Sequence, residues 1–268
     1  MTHDSSNPEG YLLDNRQAEA GERFEALSEL FDPVTFRHLA AVGLGPGWAC
    51  WEVGAGGASV PRWLARQVGE SGRVLATDLD TRWLPAAEAG FEVLRHEVGV
   101  DPVPPGAFDL VHARLLLVHL PHRAEVLASL VGALRPGGWL VIEDADTALQ
   151  PLVCLDEYGP QQQLANRVQV AFRSLLAARG ADLAFGRTLP RLLREAGMED
   201  VRADGFFPVS TPVRQSLQAA TVRQVREGLL AAGLVSEAEI DQHLADLATG
   251  QLDLATAPLI SAWGRKPR

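Results

Sequence analysis

Residues 51–59 read WEVGAGGAS, and the fold is decided there. Three glycines, Gly54, Gly56 and Gly57, fall within four positions directly after an apolar run. Glycine reaches backbone angles that other side chains forbid, and it lets another molecule approach the main chain closely. Three of them exceed what a plain turn needs. Outward from this turn, short apolar runs at 48–53, 73–78, 91–95, 108–112 and 139–144 alternate with helical patterns near 60–68, 83–89 and 123–134. Apolar strands alternating with helices predict a parallel sheet covered on both faces. Pro136 ends the last of these helices, and Gly137-Gly138 supply the tight return into the fifth strand.

On the N-terminal side, residues 1–10 are polar. Helical spacing follows over 18–30, and Pro33 separates it from a second short helix over 35–42. Beyond Asp144, helices are predicted over 156–178, 187–196, 213–232 and 237–247, with strands over 199–206 and 259–265. Ser236 with Glu239 three residues on is a capping-box signal. The expected organisation is a helical cover over 1–45, a ligand-binding core over 46–150, a helical lid over 151–258 with one core strand, and a terminal core strand over 259–268.

Composition limits the function. The 268 residues carry a formal net charge of −10, which disfavours sequence-independent binding of nucleic acid, because that needs clustered Lys and Arg. A small-molecule substrate and a cationic cofactor fit better. The two cysteines, Cys50 and Cys154, stand alone, so no disulfide framework is indicated and a cytoplasmic location is expected. No apolar stretch approaches the roughly 20 residues of a membrane helix, and the polar N-terminus does not read as a signal peptide. The oligomeric state stays open, a homodimer being the assembly to test.

The acids beside the glycine turn select the ligand. A dinucleotide fingerprint would require Gly or Ala at position 59, which is Ser59, and no P-loop pattern occurs. Glu52 precedes the turn, an awkward place for a carboxylate beside a pyrophosphate. Asp78 ends the second strand, where an acid takes both hydroxyls of a ribose. A ligand with an amino group, a ribose and a positive sulfonium answers these acids, and S-adenosylmethionine has all three. Its carboxylate is expected at the start of the helix near Ser59, where free N–H groups and the helix dipole favour an anion.

The ordered segments EVGAGGAS, ATDLD, LRHEVGVDPVP, AFDLVHARLLLVHLP and ALRPGGWLVIED resemble the class I S-adenosylmethionine-dependent methyltransferases. The likeness is nearest to the small-molecule branch of actinobacterial secondary metabolism and to the ubiquinone/menaquinone type. It is strong from Tyr11 to Asp144 and looser beyond. The resemblance implies a Rossmann-like α/β fold: a seven-stranded, mostly parallel sheet with helices on both faces, an antiparallel last strand and a helical lid. It also implies that Glu52, Gly54 and Gly56 hold the methionine part of the cofactor. Asp78 would bind the ribose and Leu79 would lie against the adenine. Glu97, where Asp is usual, would take the adenine amino group, with Val98 on the ring. Ala113 and Arg114 would contact the methionine part through their backbone, and Tyr11 would close over the cofactor.

Methyl transfer is an in-line displacement, so positioning dominates, and a base is needed only when the acceptor must lose a proton. His119, after the fourth strand, is the candidate base or substrate-positioning group; a structural hydrogen bond is the alternative. His112 reads as a buried, paired residue, His122 as a helix N-terminal residue, and His3, His38 and His243 as exposed. Asp144 and Asp146 read as pocket-lining or loop residues. Apolar side chains of the lid, including Phe172, Phe185, Phe206 and Phe207, form either a helical core or an apolar substrate pocket. Two further functions stay open at this stage: a methyltransferase-fold cyclase or isomerase that binds the cofactor without methyl transfer, and an NAD-dependent oxidoreductase, disfavoured by Glu52 and Ser59.

Overall fold

A computed structural model describes residues 12–13, 19–85, 90–104, 107–209 and 212–268. Seven strands form one sheet: β1 (Ala49–Val53), β2 (Arg73–Asp78), β3 (Glu92–Arg95), β4 (Phe108–Arg114), β5 (Leu134–Ala145), β6 (Glu199–Phe206) and β7 (Leu259–Arg265). Their order is β3-β2-β1-β4-β5-β7-β6. β7 runs antiparallel to both of its neighbours and the first five strands run parallel, so the expected mixed sheet is observed. The sheet order reverses between β1 and β4, which puts the glycine turn after β1 at the switch point where doubly wound sheets bind ligands.

Alternate residues of the strands feed opposite faces, which is why the strands read as continuous apolar runs. Trp51, Val111, Leu140 and Ile142 pack on one face with Leu127 and Leu130 of α3 (Arg123–Ala133) and Leu189 and Leu193 of α5 (Leu189–Glu195). Cys50, Val74, Leu110 and Val141 pack on the other with Leu39 of α1 (Glu19–Ala41) and Leu64 of α2 (Ser59–Val68). Trp51 is fully buried, and its indole Nε1–H donates to Thr77 Oγ1 at 3.0 Å, so its one polar atom is satisfied. Cys50 is a buried free thiol, as expected.

A separate helical cluster forms beyond the sheet from α4 (Pro160–Ala178), α6 (Pro212–Ala231) and α7 (Glu237–Ala248), joined through Val168, Ala171, Val222, Val225 and Ile240. The Ser236–Glu239 capping box is present. α1 lies between this cluster and the sheet, with Ala26, Leu30 and Phe31 against Leu217.

Three expectations are corrected. The N-terminal helices are one continuous helix, α1, with Pro33 inside it. Proline removes one helical hydrogen bond, but Phe31 and Leu39 on either side of it are both buried, so packing holds the helix together. His38 and His243 are buried rather than exposed, at 3% and 0% exposure. Both stand on buried stripes at helical spacing, His38 between Phe31, Thr35 and Val42, and His243 between Ile240 and Leu247. The short helix expected over 83–89 is in its described part a 3₁₀ turn, Thr81–Trp83, and residues 86–89 lie outside the described residues.

Candidate cofactor and acceptor cleft

A cleft of about 930 Å³ opens at the carboxyl ends of β1, β2, β3 and β4. Its floor is the glycine turn. Gly54 and Gly56 have φ of +64° and +60°, the left-handed region that favours glycine. A Cβ on Gly54 would stand 2.8 Å from Leu116 Cδ1, and one on Gly56 would stand 2.6 Å from Phe24 Cε1. These glycines therefore admit the protein's own side chains as well as any ligand.

Asp78 closes one wall, buried at the end of β2. Its carboxylate accepts from Gly56 N–H at 2.8 Å and from Asp80 N–H at 3.0 Å. Burial raises its pKa, opposed by these backbone donors. Leu79, Glu97 and Val98 line the same half of the cleft, and Glu97 N–H is held by Asp101 Oδ2 at 2.7 Å. Ser59 also lines the cleft, and its hydroxyl pairs with Ser28 Oγ of α1 at 2.9 Å.

At the end of β4 the chain strains to turn. Leu115 has φ +55°, unfavourable for a residue with a branched side chain, and its N–H donates to Glu143 O at 2.7 Å. This kink sends Leu116 over Gly54 and carries the following 3₁₀ turn, Leu117–His119, to the cleft. Burial, with the guanidinium charges of Arg23 and Arg123, pushes the His119 pKa down to about 4. His119 is therefore neutral at pH 7.

Glu52 and Ala113 do not line this cleft. Glu52 is buried and pairs through Oε2 with His112 Nδ1 at 2.6 Å. Burial would lower the His112 pKa, but the carboxylates of Glu52 and Glu143 outweigh it and hold the imidazole at about 9, so it is a cation between two carboxylates. Glu143 of β5 also receives Thr35 Oγ1, His38 Nδ1 at 3.0 Å and Ser261 Oγ at 2.7 Å. Burial would raise its pKa, but His112, whose Nε2 stands 3.5 Å from its Oε2, and the hydrogen bond with His38 hold it well below the usual carboxylate range. Beside this network, Arg114 donates to Asp32 at 2.9 Å and to Thr35 at 2.9 Å. The side chain of Arg114 thus ties α1 to β4 while the residue lines the cleft. Tyr11 lies outside the described residues.

Asp144 is fully buried and Asp146 is clamped by Arg187 Nε and Nη2, each at 2.6 Å, and neither lines the cleft. Among the described residues of the predicted lid, only Arg179 and Gly180 reach it. Phe185 is core and Phe206 packs edge-on to Phe31. The apolar wall comes instead from Phe24, Leu27, Leu116, Leu120 and Val126. Arg23 and Phe24 of α1 were not anticipated as site residues. The helical spacing of Ala20, Arg23, Ala26 and Leu30 was the available signal, since it puts Arg23 on the buried stripe.

A doubly wound sheet with an antiparallel strand inserted before its edge, and a glycine turn facing an acid at its switch point, defines a Rossmann-like nucleoside-binding fold. Residues 51–142 match the family model described as "Methyltransferase domain". The chain is 34% identical over 181 residues to methyltransferase str3 of Strobilurus tenacellus, covering 65% of this chain and 61% of that one. It is 25% identical to methyltransferase GfsG of Streptomyces halstedii, covering 72% and 77%. In structure it is similar to phosphoethanolamine N-methyltransferase 2 of Haemonchus contortus, with a TM-score of 0.58 and 16% identity over 96% of this chain and 59% of that one. The chain spans about three fifths of the length of the Strobilurus relative. Over residues 51–142 the chain is thus similar to methyltransferase domains, and its sheet is similar to that of a solved N-methyltransferase. No helix among the described residues is long and apolar enough to cross a membrane.

Proposed function

We propose that this protein transfers a methyl group from S-adenosylmethionine to a small-molecule acceptor, and that the cleft beneath α1 holds both. The observation that carries this reading is the buried Asp78 carboxylate facing the cleft beside two left-handed glycines, inside the segment that matches the methyltransferase family. The residues fit the cofactor. Asp78 offers an acceptor to ribose hydroxyls, Leu79 and Val98 offer apolar faces to the adenine, and Glu97 offers an acceptor to its amino group. The start of α2 at Ser59 has no side-chain cap, which leaves its N–H groups to an anion such as the methionine carboxylate. Glu52 sits behind the turn, where it fixes His112 and the end of β1, so its part in cofactor binding is indirect.

The cofactor, when bound, supplies an activated methyl carbon on a positive sulfur. The chain's own residues orient the acceptor and exclude water. Phe24, Leu27, Leu116 and Leu120 form the apolar wall of the cleft, and neutral His119 offers a hydrogen bond, or weak proton acceptance, to the acceptor. The helical region over 151–258 acts mainly as scaffold, contributing Arg179 and Gly180 to the mouth. A cytoplasmic location and a homodimer complete the proposal.

Calorimetry tests it. S-adenosylmethionine and S-adenosylhomocysteine should bind with micromolar Kd and NAD should not. Binding of NAD alone would overturn the reading. S-adenosylhomocysteine should also accumulate in proportion to product, whereas product without it would favour a cyclase or isomerase.

A further inference from the structure

The end of the cleft proposed to hold the adenine is bordered by residues 96–102, the loop that follows β3. His96 begins this loop and Pro102 ends it. The His96 ring lines the cleft yet is only 5% exposed, and it stands edge-on to the fully buried Trp51 indole, with centroids 5.7 Å apart. Its Nε2 lies 3.1 Å from the Pro102 carbonyl oxygen. A carbonyl only accepts, so Nε2 carries a proton and donates it. Nδ1 has no partner among the described residues, so the bond to Pro102 is the ring's one hydrogen bond there. The backbone N–H of His96 donates to the Asp78 carbonyl oxygen at 3.0 Å, which joins the loop to the residue proposed to hold the ribose. Inside the loop, Asp101 grips both backbone groups of Glu97. Glu97 N–H donates to Asp101 Oδ2 at 2.7 Å, and Glu97 O accepts from Asp101 N–H at 2.8 Å. The carboxylate of Glu97 has no partner among the described residues.

We propose that His96 and Asp101 are positioning residues: they hold Glu97 where its carboxylate meets the adenine amino group, and so make the site selective for a purine that carries that group. This rests on the cofactor reading above and names what sets its specificity. A carboxylate accepts a hydrogen bond from the amino group, and a purine lacking that group leaves the carboxylate without its partner. The discrimination is large only if the acceptor is fixed beforehand, because ordering a mobile loop on binding offsets the gain from the bond. The two latches work at different levels. His96 fixes the loop to the sheet through Trp51, Asp78 and Pro102. Asp101 fixes Glu97 within the loop. Both act through Glu97, and the bond from His96 to Asp78 also sets the spacing between the ribose acceptor and the adenine acceptor.

Calorimetry on the full chain compares S-adenosylhomocysteine with its 6-deamino analogue, in which hydrogen replaces the amino group. The native chain is expected to bind S-adenosylhomocysteine about tenfold or more tightly than the analogue, as a hydrogen bond to a charged group warrants. His96→Leu should narrow that ratio to about threefold or less, by weakening S-adenosylhomocysteine more than the analogue. His96→Gln, whose amide N–H can stand in for Nε2–H, should keep the ratio above about fivefold. Asp101→Ala, at an exposed position, should narrow the ratio as His96→Leu does, and Asp101→Asn, which retains an acceptor, should restore it. The proposal is overturned if the ratio survives either His96→Leu or Asp101→Ala, including by an equal loss for both ligands, which would mark a purely structural role. It is overturned as well if His96→Gln narrows the ratio as far as His96→Leu. Should His96→Leu not fold, Asp101→Ala decides alone, and an unchanged ratio there overturns it. A native chain that binds both ligands equally would show that Glu97 does not read the amino group, and the proposal would fall with that assignment. Failure of S-adenosylhomocysteine to bind the native chain would be a different result, sinking the methyltransferase reading itself.

Discussion

Asp78 does two jobs at once. It faces the cleft, and it latches the glycine turn through Gly56 N–H at 2.8 Å. Asp78→Ala should therefore weaken S-adenosylhomocysteine binding at least tenfold by calorimetry, about 1.4 kcal/mol. An unchanged Kd would remove Asp78 from the site. His119 invites a different measurement. With its pKa near 4 it is a weak proton acceptor, so His119→Ala should lower kcat about a hundredfold, the lower end of what a positioned acid or base supplies, and leave cofactor affinity within twofold. An equal loss in both would make it a structural residue. Glu52 shows where residue types mislead: its position beside the glycines was legible, but its partner His112 lies 60 positions away and no local pattern reveals which side the carboxylate takes.

At the scale of elements, α1 is docked by polar groups as well as apolar ones. Glu143 of β5 gathers Thr35 and His38 of α1 and Ser261 of β7, with His112 of β4 3.5 Å away. Removing one partner from a buried, charged set leaves the others uncompensated. Glu143→Ala should therefore cost about 3–5 kcal/mol in urea unfolding, and it should expose α1 to limited proteolysis before the sheet unfolds. A loss below about 1 kcal/mol would mean that the network is solvated. Strands β1, β2, β4 and β5 and helices α2, α3, α6 and α7 were legible because their periods are regular and glycines, prolines and caps punctuate them. The continuity of α1 through Pro33 was not, because tertiary packing on both sides overrides a local breaker. Nor was the place of Arg23 and Arg179 in the cleft lining, because they come from elements distant in sequence and only the fold brings them to the cleft that His119 also lines.

On the scale of the whole molecule, buried histidines set opposing pH limits. His243 has a folded pKa lowered to about 4 by burial, partly countered by Asp246. A lowered histidine pKa means that the unfolded chain takes up the proton first, so this stability is lost as pH falls from about 6.5 towards 4. His112, raised to about 9, works the other way, and its contribution is lost as pH rises from about 6.5 through 9. His243→Leu should flatten the acid side of a plot of Tm against pH while leaving the alkaline side unchanged. An identical acid limb would sink that assignment. The strand order has a consequence in time as well. β7 is made after β6 yet fills the gap between β5 and β6. Until Leu259–Arg265 emerges, β6 has no neighbour and β5 offers a bare edge to other nascent chains. A chain cut before Leu259 should accumulate as aggregate, and the sheet of this protein can be completed only after its sixth strand has waited for the seventh.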